Sequence, residues 1–152
     1  MKNIKIISPS KELFELYDNT KNEIQRVIPD AKIELVGALA VPMAGKEEID
    51  IMVICNDIES VQKTLEKYGF MPGQIVKGEA FSHKKVGNII LEIHIMRQGH
   101  KNIELYQNIR SRLKEDKELR DKYEKLKISL DGKSEKEYKK AKSDFIREHR
   151  LA

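Results

Sequence analysis

The chain reads as an α/β domain of the α+β kind: a β-sheet flanked by helices, with a helical C-terminal third. Three observations predict this. Segments of helical period alternate with segments of period two as far as Gly99. Gly87-Asn88 separates two extended segments and suits a tight hairpin turn. Beyond Gly99 the chain is densely charged, with apolar residues at helical spacing. At 152 residues the chain has the size of one domain, and residues 1–152 are expected to form it. Hydrophobic residues make up 39% and charged residues 36%, enough to fold a core beneath a highly charged surface. Trp is absent and aromatics are sparse, so aliphatic side chains must build that core.

The first helix is expected to start at Ser10, a good N-cap after Pro9. It carries Leu13, Phe14, Tyr17, Ile24, Val27 and Ile28 and stops at Pro29-Asp30. Lys32-Ile33-Glu34-Leu35-Val36 alternates and reads as a strand ending at Gly37, followed by a loop to Lys46. The second strand, Ile49 to Cys55, puts Ile49, Ile51, Val53 and Cys55 on one face and Asp50, Met52 and Ile54 on the other. Both faces are mostly apolar, which predicts a central, buried strand with Asp50 near its start. Asn56-Asp57 caps a helix bearing Ile58, Val61, Leu65 and Tyr68, and Gly69 stops it. The hairpin strands run from about Glu79 to Val86 and from Ile89 to Met96. Three helical stripes follow: Leu105, Ile109 and Leu113; Leu119, Tyr123, Leu126 and Leu130; Tyr138, Ala141 and Phe145. Asp131-Gly132-Lys133-Ser134 breaks the last two, and Ser134 with Glu137 matches a capping box.

Composition narrows the functional classes. The net charge of +4 is compatible with an anionic ligand such as a nucleotide, but is well below the basic stripe of a dedicated DNA-binding protein. Cys55 is the sole cysteine, so no intramolecular disulfide can form, and its apolar run predicts a small buried hydrophobe. The start, Met1-Lys2-Asn3-Ile4-Lys5, has no signal-peptide h-region, and no apolar run reaches bilayer length. A reducing cytoplasm and no membrane association are the expectation.

The chemistry concentrates between Val36 and Ile51, where a strand ends in glycine and a carboxylate appears early on the next strand. Gly37 would let a backbone N–H approach a phosphate closely, with Ala38 beside it. Asp50 could hold Mg²⁺, which prefers oxygen ligands and bridging phosphates. Glu92 and His94 share a strand face at period two and could complete a metal site with Asp50. An Asp/Glu/His set suits Mn²⁺ or Zn²⁺ better than Mg²⁺. The alternatives are a structural Asp50 paired with an amine such as Lys46, and a water-facing hairpin for Glu92 and His94. Lys46 is either a phosphate contact or a loop lysine, and His83, His100 and His149 are expected to be surface residues.

This stretch resembles the GrpB-type branch of the nucleotidyltransferase fold. That branch carries I-G-S-x-x-V-P-x-x-x-x-K-x-x-I-D followed by a hydrophobic residue, matched here by Gly37, Val41, Pro42, Lys46, Ile49 and Asp50. Downstream, Glu92-Ile93-His94 is similar to the family H-x-H, and Ile109-Arg110 to a Phe-Arg pair. Tyr123 to Lys127 is similar to Y-x-x-L-K, and Tyr138 to Ile146 to Y-x-x-x-K-x-x-F-I. The resemblance spans about Ile33 to Ile146. It implies a nucleotidyltransferase-like mixed sheet with its site beside Gly37 and Asp50. It also implies metal-assisted transfer of a nucleoside monophosphate from a nucleoside triphosphate to an acceptor, with Mg²⁺ or Mn²⁺ as cofactor. Asp50, Glu92 and His94 would be the catalytic and metal-binding residues. Gly37, Ala38, Lys46, Arg110 and Lys142 would contact the nucleotide. The sequence departs from the wider superfamily at Met52, where a second carboxylate is usual, and from the branch at Ala38, where a serine is usual. Hairpin arginines usual in the branch are replaced around Glu79 to His83. A nucleotide-binding module without transfer activity, or a protein-interaction domain using the helical part, therefore stand as alternatives.

Overall fold

The computed structural model describes residues 3–151. Met1 and Lys2, part of the start read above for a signal peptide, lie outside them. In chain order the elements are β1 (Ile6–Ile7), α1 (Lys11–Val27), β2 (Lys32–Val36), α2 (Gly37–Ala40), β3 (Gly45–Lys46), β4 (Glu48–Cys55) and α3 (Ile58–Glu66). There follow β5 (Met71–Val76), β6 (Glu79–Val86), β7 (Ile89–Arg97), α4 (Lys101–Glu115), α5 (Lys117–Ser129) and α6 (Glu135–Glu148). The main sheet is mixed, in the order β2-β4-β7-β6-β5, and β1 pairs with β3 as a small second sheet. β4 and β7 are parallel, and the other pairings are antiparallel.

The two-sided character of β4 follows from this position. Ile49, Ile51, Val53 and Cys55 join Ile93 and Ile95 of β7 beneath Leu13, Tyr17 and Ile24 of α1 and Val61 and Leu65 of α3. On the opposite face Met52 and Ile54 pack with Val36 and Met96 under Ile103 and Tyr106 of α4. A third cluster binds the C-terminal helices together: Leu113, Leu119, Tyr123 and Phe145, with Val41 and Met43 from the loop before β3. The side-chain caps of α1, α3 and α6 are Ser10, Asp57 and Ser134, as the sequence signals predict.

Four differences from the sequence reading have local causes. The segment after Val36 is not wholly loop, since it forms α2 and β3, each too short to show a period. β1 is likewise only two residues long. β5 was obscured by Pro72-Gly73 and by its full exposure. A proline is tolerated there because the strand is an edge, and the register breaks between Pro72 and Ile75. Phe14 and Tyr68 carry the spacing of their helices but are 37% and 41% exposed, because α1 and α3 bury only a narrow stripe. His100 caps α4: its Nδ1 accepts the Asn102 N–H at 3.0 Å, while Nε2 lies 3.0 Å from the carbonyl oxygen of Lys77.

Candidate functional site

Parallel pairing of β4 with β7 sets Asp50 opposite Glu92 and Met52 opposite His94. All four side chains therefore share the face covered by the C-terminal helices. His94 reaches diagonally to Asp50, with Nε2 at 3.2 Å from Oδ1. Both are sheltered, with side-chain exposures of 12% for His94 and 27% for Asp50. The His94 ring is edged by Phe81 and tilted against Tyr106. Burial alone would make the imidazolium less stable, but the hydrogen bond and charge of Asp50 outweigh it and raise the His94 pKa. The same pair works in reverse on Asp50: burial is outweighed by His94, and the carboxyl is held below its usual range. Nδ1 of His94 is buried with no hydrogen-bond partner among the described residues, as is Oε2 of Glu79.

Gly37 is shaped around this pair. Its φ is +74°, a region that favours glycine, and a Cβ there would fall on the Asp50 carboxylate. Gly45 plays a matching part, since its Cβ would meet that of Ala38. Between the sheet face and α4–α6 lies a cavity of about 320 Å³. Its polar side presents Asp50, Glu48, Lys46, Lys127 and Lys142, and its apolar side includes Val41, Met43, Tyr106 and Ile109.

The residues named from sequence are distributed unevenly about it. Gly37, Ala38, Lys46, Asp50, His94, Arg110 and Lys142 all border the cavity; Glu92 does not. Burial raises the Glu92 carboxyl pKa, and Glu48 and Asp50 add to the rise by repulsion. Lys46 pairs with Glu135 at 2.8 Å and Glu48 at 3.4 Å rather than with Asp50. Burial is outweighed there by these carboxylates, which raise the Lys46 pKa. Arg110 is turned toward β2, donating to the Leu35 carbonyl at 2.8 Å and to Glu34 at 3.0 Å. Met52, where a second carboxylate would stand, is fully buried beneath α4.

Two further residues enter with the structure. Glu48 lies two positions before Asp50, hence on the same strand face, and borders the cavity. Lys127 is 5% exposed, with Nζ 4.5 Å from the centre of the Tyr123 ring. Its signal was its place on the stripe of α5, four residues after Tyr123, where a lysine is out of keeping with a core position. Burial and then repulsion by Lys142 push its ammonium down to about 7. Among the described residues neither Lys127 nor Lys142 forms an ion pair or a side-chain hydrogen bond, and no group of three His, Cys, Asp or Glu side chains is placed to hold a metal ion.

A mixed sheet with an early carboxylate on an interior strand, a glycine turn beside it and helices over the cavity has the nucleotidyltransferase-like fold. The likeness to Cid1 poly(U) polymerase in its MgGTP-bound crystal structure has a TM-score of 0.51 at 17% identity, over 74% of this chain and 41% of that one. At that identity the likeness is one of fold. The chain belongs to the GrpB family, whose model (GrpB protein) matches residues 3–150. It is 31% identical over 136 residues to a UPF0157 protein of Vibrio cholerae serotype O1, covering 86% of this chain and 72% of the relative. The crystal structure of the conserved protein GrpB from Enterococcus faecalis matches with a TM-score of 0.73 and 21% identity, over 95% of this chain and 98% of that one. Among the described residues no helix is long and apolar enough to cross a membrane.

Proposed function

We propose that the cavity binds a nucleoside triphosphate. Its phosphates lie toward Lys46, Lys127 and Lys142, with the Gly37–Ala38 backbone at the rim. The nucleoside rests against the apolar wall that includes Tyr106 and Ile109. The observation that carries this reading is that Lys127 and Lys142 face the cavity without a counter-ion among the described residues. Lys127 is buried while Lys142 is exposed at the edge of the cavity; a buried amine keeps its charge only beside an anion, and a polyanion in the cavity supplies that partner. Arg110, held by Glu34, shapes the rim beside Leu35. The test is thermal unfolding with each of the four nucleoside triphosphates. A ligand at ~100 times its dissociation constant adds ~2.7 kcal/mol, several degrees for a chain of this size. If none of the four shifts the midpoint, the reading is lost.

A second reading, transfer of the nucleoside monophosphate to an acceptor, is favoured by the Asp50–His94 hydrogen bond inside the cavity. The fold family implies Mg²⁺ or Mn²⁺. The donor set does not form a resident metal centre: Met52 replaces one carboxylate, Glu92 stands off the cavity and His94 already engages Oδ1 of Asp50. In this reading Asp50 receives the acceptor's proton and His94 holds the carboxylate in place through Nε2, while Glu92 acts only through its charge. Pyrophosphate release that disappears in Asp50→Asn supports transfer; binding without pyrophosphate release under any divalent cation leaves the chain as a binding module.

A further inference from the structure

Lys127 occupies an unusual position. It projects from α5 into the cavity wall and is almost wholly shielded from solvent. Gly45 lies beside it, with the position of a Cβ there 3.8 Å from the Lys127 Nζ, an ordinary contact distance. The charged groups facing it come from several elements: Glu124 on α5, Lys142 on α6, Lys46 on β3 and Asp50 on β4. The nearby anions are committed elsewhere. Glu124 accepts the Ala44 N–H at 2.6 Å, and Asp50 holds His94. Lys46 is neutralised by Glu135 and Glu48. Lys127 and Lys142 therefore share the α5–α6 wall as two amines with no committed anion among the described residues.

We propose that Lys127 and Lys142 form a subsite for a phosphoryl dianion on the α5–α6 wall, and that filling it draws one proton onto Lys127 Nζ. The proposal rests on the nucleotide reading of the cavity and specifies its regulation. In the free protein, burial and the charge of Lys142 press the Lys127 ammonium down to about 7, so this amine is about half charged at neutral pH and mostly uncharged at pH 8. A phosphoryl group entering between the two amines reverses the local field and restores the ammonium form. By linkage, affinity then falls as pH rises above 7, because more of the free protein must take up a proton in order to bind.

The proton is counted by calorimetry. The protein is titrated at pH 8 with each of the four nucleoside triphosphates in excess EDTA, in two buffers of different ionisation enthalpy. At this pH the terminal phosphate, with a second pKa near ~6, is already ionised. Close to one proton, roughly nine-tenths, is taken up per ligand bound, and Lys127→Met abolishes the uptake. Independently, the amine reactivity of Lys127 toward an acylating reagent, read by peptide mass spectrometry across pH, has its midpoint near 7. In Lys142→Gln that midpoint moves upward, and triphosphate affinity drops about tenfold. Triphosphate binding with no linked proton, or a Lys127 midpoint near that of an exposed lysine, overturns the proposal and leaves the nucleotide reading standing. No binding by any of the four, with or without divalent metal, overturns both.

Discussion

A methyl group at residue 37 would project into the carboxylate of Asp50, with the Asp50 Cβ at 3.1 Å from the new carbon. Gly37→Ala therefore carries two costs. Holding alanine at a φ of +74° costs about 1–2 kcal/mol. Displacing the carboxylate breaks the 3.2 Å hydrogen bond to His94, a charge-assisted contact worth about 1.5–3 kcal/mol. The expected destabilisation is about 2.5–5 kcal/mol. In an Asp50→Gly background the obstruction is gone and only the backbone cost of about 1–2 kcal/mol remains. The assay is a double-mutant cycle by urea denaturation of wild type, both single variants and the double variant. It should return a coupling of about 1.5–3 kcal/mol, well above the ~0.5 kcal/mol expected of independent sites. A companion NMR titration of the imidazole should show the His94 pKa falling in Gly37→Ala. Equal costs of Gly37→Ala in both backgrounds would refute the claim that Gly37 exists to seat Asp50.

The His94–Asp50 pair should also give stability a pH window. A raised histidine contributes fully below its unfolded pKa of about 6.5 and loses the contribution as pH climbs through its folded value. The depressed Asp50 contributes above about 3.9 and loses it as pH falls through its folded value. The advantage of wild type over His94→Gln should thus peak between about pH 4 and 6.5, and urea midpoints from pH 3 to 9 check it. Lys127 has the opposite sign: Lys127→Met should be the more stable protein by roughly 4 kcal/mol at neutral pH, at about 1.4 kcal/mol per pH unit, with the gap closing toward pH 10.5. A gap that does not vary with pH would show that Lys127 is not shielded. Arg110→Met should cost about 2–3 kcal/mol by leaving Glu34 unpaired, with little change in triphosphate affinity, as denaturation and calorimetry will show. Met52→Asp should destabilise by about 3 kcal/mol or more without restoring a metal site, because residue 52 is sealed under α4; thermal unfolding with and without Mn²⁺ tests it.

Local chemistry decided much of this molecule in advance. The caps at Ser10, Asp57 and Ser134, the hairpin at Gly87-Asn88 and the two-faced apolar run of β4 all act over a few residues, and each could be read from the chain. The stretch from Gly37 to Asp50 pointed to the site for the same reason, as a turn and the strand after it. Tertiary structure decided what depends on pairings distant in sequence. Parallel register between β4 and β7 brings His94 diagonally onto Asp50 and leaves Glu92 off the cavity, and no spacing within either strand contains that register. Arg110 is drawn to Glu34 because α4 crosses β2, so a basic residue with a plausible ligand role spends its charge on the fold. Lys127 shows the limit most clearly. Its position on the α5 stripe marks it as buried, but only the packing of α6 beside α5, with Lys142 across from it and the neighbouring carboxylates engaged elsewhere, leaves it without a counter-ion.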